Sequence, residues 1–139
     1  MLGAFIWLLI QLKTSTRLTN EISPNRHCYQ RPSDNLTKWL DKLETYENCP
    51  IEGMVDKNGK KSYSCLCFQL ETFQRYFKKY YPQAKDIEEQ EWLNLISDCG
   101  LQKDIAYKMI SANHSNWKNW YWSIAKRGLE KPPIVYEKK

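Results

Sequence analysis

Apolar residues recur at helical spacing along most of the chain after position 33, which predicts a mostly helical domain. In the first such segment the apolar residues are Leu36, Trp39, Leu40, Leu43 and Tyr46. Spacings of three and four residues place them on one face of a helix. Ser33 is the expected N-cap, and Pro50 marks the end because proline cannot continue a helix.

Glu47 interrupts this apolar face. It follows Leu43 by four residues and Leu40 by seven, so it falls where the pattern predicts a hydrophobic side chain. Two interpretations remain open. Either the helix has ended and the carboxylate is solvated, or the chain holds an acid in apolar surroundings.

A β-hairpin is predicted next, around Asn58-Gly59. This pair favours a type I′ turn, in which both central residues have positive φ. The arms would be residues 54–57 and 60–68, and the second arm is polar at its start and apolar at its end. In such a strand Cys65 and Cys67 would face the same side.

The remaining pattern predicts further helices. One ends before Pro82, a second runs around 92–96 and breaks near Cys99-Gly100, and a third covers 101–109. Asn116 is the expected cap of the last helix and Gly128 its stop. The residues expected to share a face of that helix are Trp117, Trp120, Tyr121 and Ile124.

The N-terminus indicates export. Residues 2–12 are almost continuously apolar, too short to span a bilayer comfortably but long enough for a secretory signal. We therefore expect a signal peptide or membrane anchor over 1–12, and an extracytoplasmic location; a buried N-terminal helix is the alternative. A polar linker would cover 13–32, the domain 33–130, and an extended tail 131–139.

Composition and charge exclude some classes. Hydrophobic residues make up 42% of the 139 residues and aromatic residues 14%, which excludes a disordered chain. The net charge is +5, but the lysines and arginines are scattered and carry no RNA-recognition or zinc-finger spacing. We expect no nucleic-acid partner and a monomer, with membrane association, if any, through the N-terminus.

Five cysteines, at positions 28, 49, 65, 67 and 99, suit an exported protein with up to two disulfides and one thiol left over. Fifteen two-bridge pairings are open. No C-x-x-C occurs, and adjacent His27 and Cys28 are poorly spaced as metal ligands. We expect neither metal nor cofactor.

Several segments occur in the order seen in a known family. They are "YEN" with Glu47, "SYSCLCF" (62–68), "TFQRYF" (72–77), "QKDIAYKMI" (102–110) and "NWKNWYWSIAKRG" (116–128). This order resembles the small single-domain relatives of soluble lytic transglycosylases, which cut peptidoglycan. The resemblance implies a lysozyme-like α+β domain, mostly helical, with a small β-hairpin inserted between helices. It also implies peptidoglycan glycan strands as the partner.

Three positions depart from the family pattern. Asn48 replaces the usual serine after the catalytic glutamate, Ser64 stands at the usual glycine, and Cys67 at the usual glutamine. That glutamine is expected to line the sugar site, and Gln69 is a possible stand-in. Alternatively, Cys67 forms a disulfide with Cys49 or Cys99. A non-catalytic relative that binds glycan or protein is therefore the second functional hypothesis.

Glu47 is the predicted catalytic residue. An acid in an apolar setting at a helix C-terminus has a raised pKa, as a proton donor to a glycosidic oxygen needs. The resemblance implies that one carboxylate suffices, whereas a hydrolytic mechanism would use Glu52 or Asp56 as a second. Trp120 is expected in the core, and His114 in an exposed loop without a role. The predicted substrate-binding residues are Tyr63, Ser64, Cys67, Phe68, Gln69, Tyr107 and Trp122.

Overall fold

Helix α1 (Asn35–Glu47) opens the computed structural model, which describes residues 34–135. Three short strands follow: β1 (Met54–Val55), β2 (Lys61–Tyr63) and β3 (Phe68–Gln69). Helices α2 (Leu70–Tyr80), α3 (Glu89–Ile96) and α4 (Cys99–Ala112) come next. A 3₁₀ helix (His114–Trp120) leads into α5 (Tyr121–Ala125). The described part is therefore α+β and mostly helical, as predicted.

Helix α1 is capped at both ends by polar residues. The N-cap is Asp34 rather than Ser33, which lies outside the described residues; the Asp34 carboxylate accepts a hydrogen bond from the Thr37 N–H at 2.9 Å. At the other end Asn48 adopts the left-handed conformation, with φ 40°. Asparagine tolerates this conformation better than most residues, so the helix stops directly after Glu47.

The predicted hairpin is present, but its turn is of a different type. β1 pairs with β2 in antiparallel register, Met54 opposite Ser62. Gly59 has a φ of 77°, whereas Asn58 is not among the residues with positive φ, so the turn is not type I′. The Asp56 carboxylate stabilises it by accepting hydrogen bonds from the N–H groups of Asn58 and Lys60.

The second arm of the hairpin is not one strand. The chain turns back after Tyr63, and β3 pairs antiparallel with β2 to make a three-stranded sheet in the order β1-β2-β3. Ser64 and Cys67, with φ values of 58° and 53°, form the corners, and the Cys67 N–H donates to the Ser64 carbonyl at 2.9 Å. The expectation that Cys65 and Cys67 face the same side of a strand was therefore wrong, because both lie in the turn between β2 and β3.

Helices α2, α3 and α4 follow the predicted apolar pattern, with one shifted boundary. Gly100 lies in the first turn of α4 instead of breaking a helix. The break falls just before it, where Asp98 acts as the N-cap and accepts a hydrogen bond from the Leu101 N–H at 3.1 Å. Aspartate is a strong capping residue, so it overrides the glycine signal.

The last helical segment differs more from its prediction. Asn113, not Asn116, is its N-cap, and the segment begins as a 3₁₀ helix. Asn116 instead donates from its amide to the Met109 carbonyl at 2.8 Å. Trp117 and Trp120 are buried, whereas Tyr121 is 51% exposed, although its ring stacks on that of Trp117 with the centroids 6.4 Å apart, as residues on one face do. Gly128 does end the segment, with φ 82°.

Residues after Gly128 run without helix or strand as far as Val135, yet they pack on the domain. The Trp39 indole donates to the Glu130 carbonyl at 2.7 Å, and His114 bonds the Pro132 carbonyl at 2.7 Å. His114 is thus half-buried in a 3₁₀ helix and holds this segment. Within 34–135, no helix has both the length and the apolar composition to cross a bilayer. The predicted signal or anchor lies outside the described residues.

Among residues 34–135, the core encloses one fully buried side-chain amide, that of Gln102 on α4. Its nitrogen donates to the carbonyls of Tyr63 at 2.8 Å and Ile96 at 2.6 Å, and its oxygen accepts from the Leu66 N–H at 2.9 Å. One side chain therefore ties the β2–β3 turn and the end of α3 to α4. The surrounding buried apolar residues include Leu36, Leu40, Leu43, Leu66, Phe73, Phe77, Ile96, Leu101, Ile105 and Met109.

We predict that Gln102→Leu lowers the free energy of unfolding by about 3 kcal/mol or more, because each unpaired buried backbone group costs about 1–3 kcal/mol. Urea denaturation measures this value. Gln90→Leu is the matched control, since Gln90 is an exposed helical glutamine whose amide contacts Asn94 at 3.2 Å. Its effect should stay within about 0.5 kcal/mol. Equal effects of the two substitutions would contradict the assigned role of Gln102.

Candidate functional site

Glu47 lies at the C-terminal end of α1, with its carboxylate half-buried against α5. Its Oε1 accepts a hydrogen bond from the Ser123 hydroxyl at 2.5 Å, and the Ser123 side chain is fully buried. Arg127, one helical turn further on, donates to the Tyr46 carbonyl, next to Glu47 in the chain. The helix end, a buried hydroxyl and a guanidinium thus meet at one carboxylate.

Burial raises the pKa of Glu47 above its ordinary value of 4.5. Two neighbours oppose this effect: the hydrogen bond from Ser123 and the positive charge of Arg127 both favour the carboxylate. Burial outweighs them. The structure combines parts of the two interpretations: α1 ends at Glu47, and the carboxylate is half-buried beside Ser123 and Arg127 and not fully solvated.

A groove of about 150 Å³ lies beside the β2–β3 turn. It is lined by Cys67, Phe68, Gln69, Thr72, Asn119 and Trp120. The structure thus brings three of the predicted binding residues together, Cys67, Phe68 and Gln69. Phe68 and Trp120 are almost wholly buried, so the polar groups available to a ligand are those of Gln69, Thr72 and Asn119.

Two disulfides fix this region. Cys49 is bonded to Cys67, one of the two alternatives left open, and Cys65 is bonded to Cys99. Cys28, the fifth cysteine, lies outside the described residues. The first bridge joins the groove to the chain two residues after Glu47, with the two Cα atoms 5.3 Å apart. Cys67 therefore has no thiol to offer a ligand.

The other predicted binding residues are more dispersed. Ser64 is 2% exposed and donates to the Ser97 carbonyl at 3.1 Å, so its hydroxyl is used inside the fold. Tyr63 is half-buried, with the Lys61 ammonium 5.3 Å from its ring. Trp122 is 67% exposed beside Ser123, and Lys126 lies 5.7 Å from its ring. Trp122 precedes in the chain the Ser123 that contacts Glu47, and its ring also meets that of Tyr121 edge-on, with the centroids 6.2 Å apart.

Tyr107 lies at the opposite end of α1 from Glu47. Its hydroxyl donates to the carboxylate of Asp34, the N-cap, and thirteen residues at 1.5 Å each separate the helix ends by about 20 Å. Burial, followed by this bond, raises the pKa of Tyr107 to about 12. Burial alone would raise the pKa of Asp34, but the bonds from Tyr107 and Thr37 leave it lowered. Tyr107 therefore stabilises the start of α1.

Neither alternative carboxylate of the hydrolytic mechanism is buried. Glu52 and Asp56 are both exposed, and Asp56 is engaged in the hairpin turn. Within residues 34–135, one group of potential metal ligands lies close together: Glu44, Cys65 and Cys99. Its two sulfurs are joined in a disulfide and Glu44 pairs with Lys103 at 2.5 Å, so these atoms are already occupied.

Sequence reasoning missed Ser123 and Arg127. A signal was present: Ser123 follows Trp120 by three residues and Arg127 follows Ser123 by four, so all three fall on one side of the predicted last helix. What the sequence did not indicate is that this side meets the end of α1.

We predict that the unfolding free energy of the Glu47→Gln variant rises relative to that of the wild type as pH rises. Because folding raises the pKa of Glu47, the stability it contributes is present below pH 4.5 and is lost as pH rises through the raised value. The difference in unfolding free energy should grow over that range and then level off. It should reach about 1.36 kcal/mol for each pH unit that separates the folded-state pKa from the unfolded-state pKa. Urea denaturation at several pH values measures it.

Glu52→Gln, which removes an exposed carboxylate of the same charge, is the control. If the unfolding free energy of Glu47→Gln instead falls relative to the wild type as pH rises, the fold favours the charged form of Glu47 and the prediction is wrong.

We predict that Cys67→Ser lowers stability by about 3 kcal/mol, because the bridge to Cys49 closes a loop of 18 residues. Cys67→Gln, which restores the family residue, should lose the same amount. Thermal unfolding measures both, and a Cys49→Ser variant should match them. Retention of the wild-type melting temperature by all three variants would argue against the bridge.

Comparison of the chain with protein-family models, curated proteins and solved structures gave no match, so the residues of the site carry the functional argument.

Proposed function

We propose that this protein is an exported lytic transglycosylase of lysozyme-like fold that cleaves peptidoglycan with Glu47 as its single acid/base. The observation that carries the proposal is the environment of Glu47: a half-buried carboxyl with a raised pKa at the end of the first core helix. General acids of glycosidases need such a raised pKa.

Within residues 34–135, one of the two carboxylate oxygens of Glu47 is hydrogen-bonded. Oε1 accepts from Ser123, which orients the group and leaves Oε2 to carry the proton. That proton passes to the oxygen of the β-1,4 bond between N-acetylmuramic acid and N-acetylglucosamine as the bond to C1 breaks. The carboxylate then takes a proton from the 6-hydroxyl of the muramic acid, whose oxygen closes on C1. The products are a free 4-hydroxyl and a 1,6-anhydro sugar, and Glu47 regains its proton.

The order of the elements supports the fold assignment. A helix ending in an acid, then a small antiparallel sheet, then several helices is the arrangement that the resembled family would have. The backbone at Ser64 supports it too, because φ 58° is a conformation that glycine, the residue usual in the family, adopts most easily. The second observation concerns the backbone alone, so it is independent of the chemistry of Glu47.

The groove beside the β2–β3 turn is the proposed sugar site. Gln69 and Asn119 offer amides and Thr72 a hydroxyl, the groups that hydrogen-bond sugar hydroxyls and acetamido groups. The disulfide of Cys67 with Cys49 connects this groove to the end of α1. Gln69 and Thr72 line the same groove. Gln69 is the proposed replacement for the glutamine that the family carries at the position of Cys67.

A non-catalytic glycan-binding protein is the second candidate function. The observation that favours it is the state of Cys67, where the expected sugar ligand is replaced by a sulfur bonded to Cys49. Such a protein would keep the groove and bind wall fragments without cleaving them. Product analysis separates the two functions.

We predict that the protein releases 1,6-anhydro muropeptides from purified cell wall, and that Glu47→Gln lowers the rate by at least about 10²–10⁴-fold, the usual range for general acid–base catalysis. Chromatography with mass spectrometry measures the products. Glu52→Gln and Asp56→Asn are matched controls on exposed carboxylates and should retain the wild-type rate.

Reducing-end products that depend on Glu52 or Asp56 would indicate a hydrolase. Wall binding without release, unchanged in Glu47→Gln, would support the non-catalytic function. Full cleavage by Glu47→Gln would remove Glu47 from the mechanism.

A further inference from the structure

The hairpin next to the candidate site exposes an unusual amount of apolar side chain. Ile51 is 64% exposed, Met54 55% and Val55 60%. These three side chains lie within five residues of one another, whereas the core of the domain contains many aliphatic residues that are fully buried. Clustered exposed aliphatic residues, unlike single ones, usually mark a surface that contacts something apolar.

Both faces of strand β1 are exposed to solvent. Met54 and Val55 are consecutive residues of a strand, so their side chains point to opposite faces of the sheet, and both are exposed. In a small antiparallel sheet one face is normally packed on the core. β1 is also an edge strand, because the sheet order is β1-β2-β3. The strand therefore projects from the domain with apolar groups on either side.

Positive charge follows the apolar residues directly. Lys57, Lys60 and Lys61 are exposed around the turn of the hairpin, and Glu52 and Asp56 are the carboxylates in the same segment. Residues 51–61 thus carry a net charge of +1, three lysines against two acids. The Asp56 carboxylate accepts hydrogen bonds from the N–H groups of Asn58 and Lys60, which fixes the turn, while the Lys61 ammonium lies 5.3 Å from the Tyr63 ring.

From this arrangement we propose that hairpin 51–61 binds an anionic lipid surface, with Ile51, Met54 and Val55 entering the boundary between headgroups and acyl chains. Acyl chains surround an inserted group on all sides, which suits a strand that is apolar on both faces. A protein partner docking on a sheet would cover one face and leave the other in water. The lysines around the turn match the negative phosphates of the lipid.

The depth of insertion is limited by the backbone. The outer edge of β1 carries N–H and C=O groups not paired within the sheet, and these need water or headgroups as partners. The hairpin therefore belongs in the interface and not in the hydrocarbon centre. Such binding would hold the end of α1, four residues before Ile51, close to the membrane surface.

The test is sedimentation of the full chain with vesicles of phosphatidylcholine alone, or with about one third phosphatidylglycerol. We expect the double substitution Met54→Ser/Val55→Ser to weaken binding to the anionic vesicles about tenfold. Lys57→Gln/Lys60→Gln should weaken it by a similar factor there and leave binding to neutral vesicles unchanged. All proteins carry the same residues 1–33, so differences between them arise from the hairpin.

Two controls match these changes. Ile134→Ser removes an aliphatic side chain of similar exposure, 57%, from the C-terminal segment. Lys78→Gln/Lys79→Gln removes two exposed charges from α2. Both should bind vesicles like the wild type, and all variants should keep its circular dichroism spectrum.

Amide hydrogen exchange on vesicles locates the contact. We expect slower exchange in 51–61 and unchanged exchange in α3. Vesicle binding without protection of the hairpin, or equal binding by all variants, would overturn the proposal. Wall cleavage is measured separately on purified wall without lipid, so failure of this proposal is distinguishable from failure of the enzymatic one.

Discussion

The buried amide of Gln102 is the interaction on which the site depends. The β2–β3 turn has to pass through the interior, where its backbone groups meet no water. The Gln102 side chain forms hydrogen bonds with the Tyr63 carbonyl and the Leu66 N–H of that stretch. It also bonds the Ile96 carbonyl, the last of α3. A further bond runs from the Trp120 indole to the Leu66 carbonyl at 2.9 Å. Both backbone groups of Leu66, inside the tight turn beside the groove, are therefore paired with side chains of the helical segments.

A second constraint acts at the end of α1. Burial disfavours the charge on Glu47, while Ser123 and Arg127 favour it, and the result is an acid whose pKa is raised less than burial alone would raise it. The Cys49–Cys67 bridge holds the chain just after this acid to the groove. The pKa of Glu47 and the geometry of the groove are thus set by neighbouring contacts. A change in either one should therefore alter the other.

The same region contains the most exposed apolar strand of the described chain. The sheet is held to the domain by β3 and by the β2–β3 turn, which leaves β1 to project. The protein tolerates this strand because it has only two residues and is followed by lysines, both of which discourage edge-to-edge aggregation. A short, charged, apolar edge is also a suitable contact for a lipid interface.

Apolar periodicity by itself determined the helices. It located α1, α2, α3 and α4, and it identified Glu47 as an acid on an apolar face, because burial of one face imposes a repeat that is visible in the chain. Asn58-Gly59 indicated a hairpin correctly. Local capping was harder: Asp34, Asp98 and Asn113 are the caps, because which of several adjacent polar residues reaches a free N–H depends on backbone angles that the sequence does not display.

Only the tertiary structure decided the surroundings of Glu47. Ser123 lies 76 residues away, Cys67 was one of several possible partners for Cys49, and Tyr107 proved to serve Asp34 at the far end of α1. The turn at 64–67 was unforeseen because two non-glycine residues adopt positive φ there, a conformation that is stable only with long-range support. Periodicity reports which face of an element is buried. It does not report what that face meets, because contacts between distant segments leave no repeat along the chain.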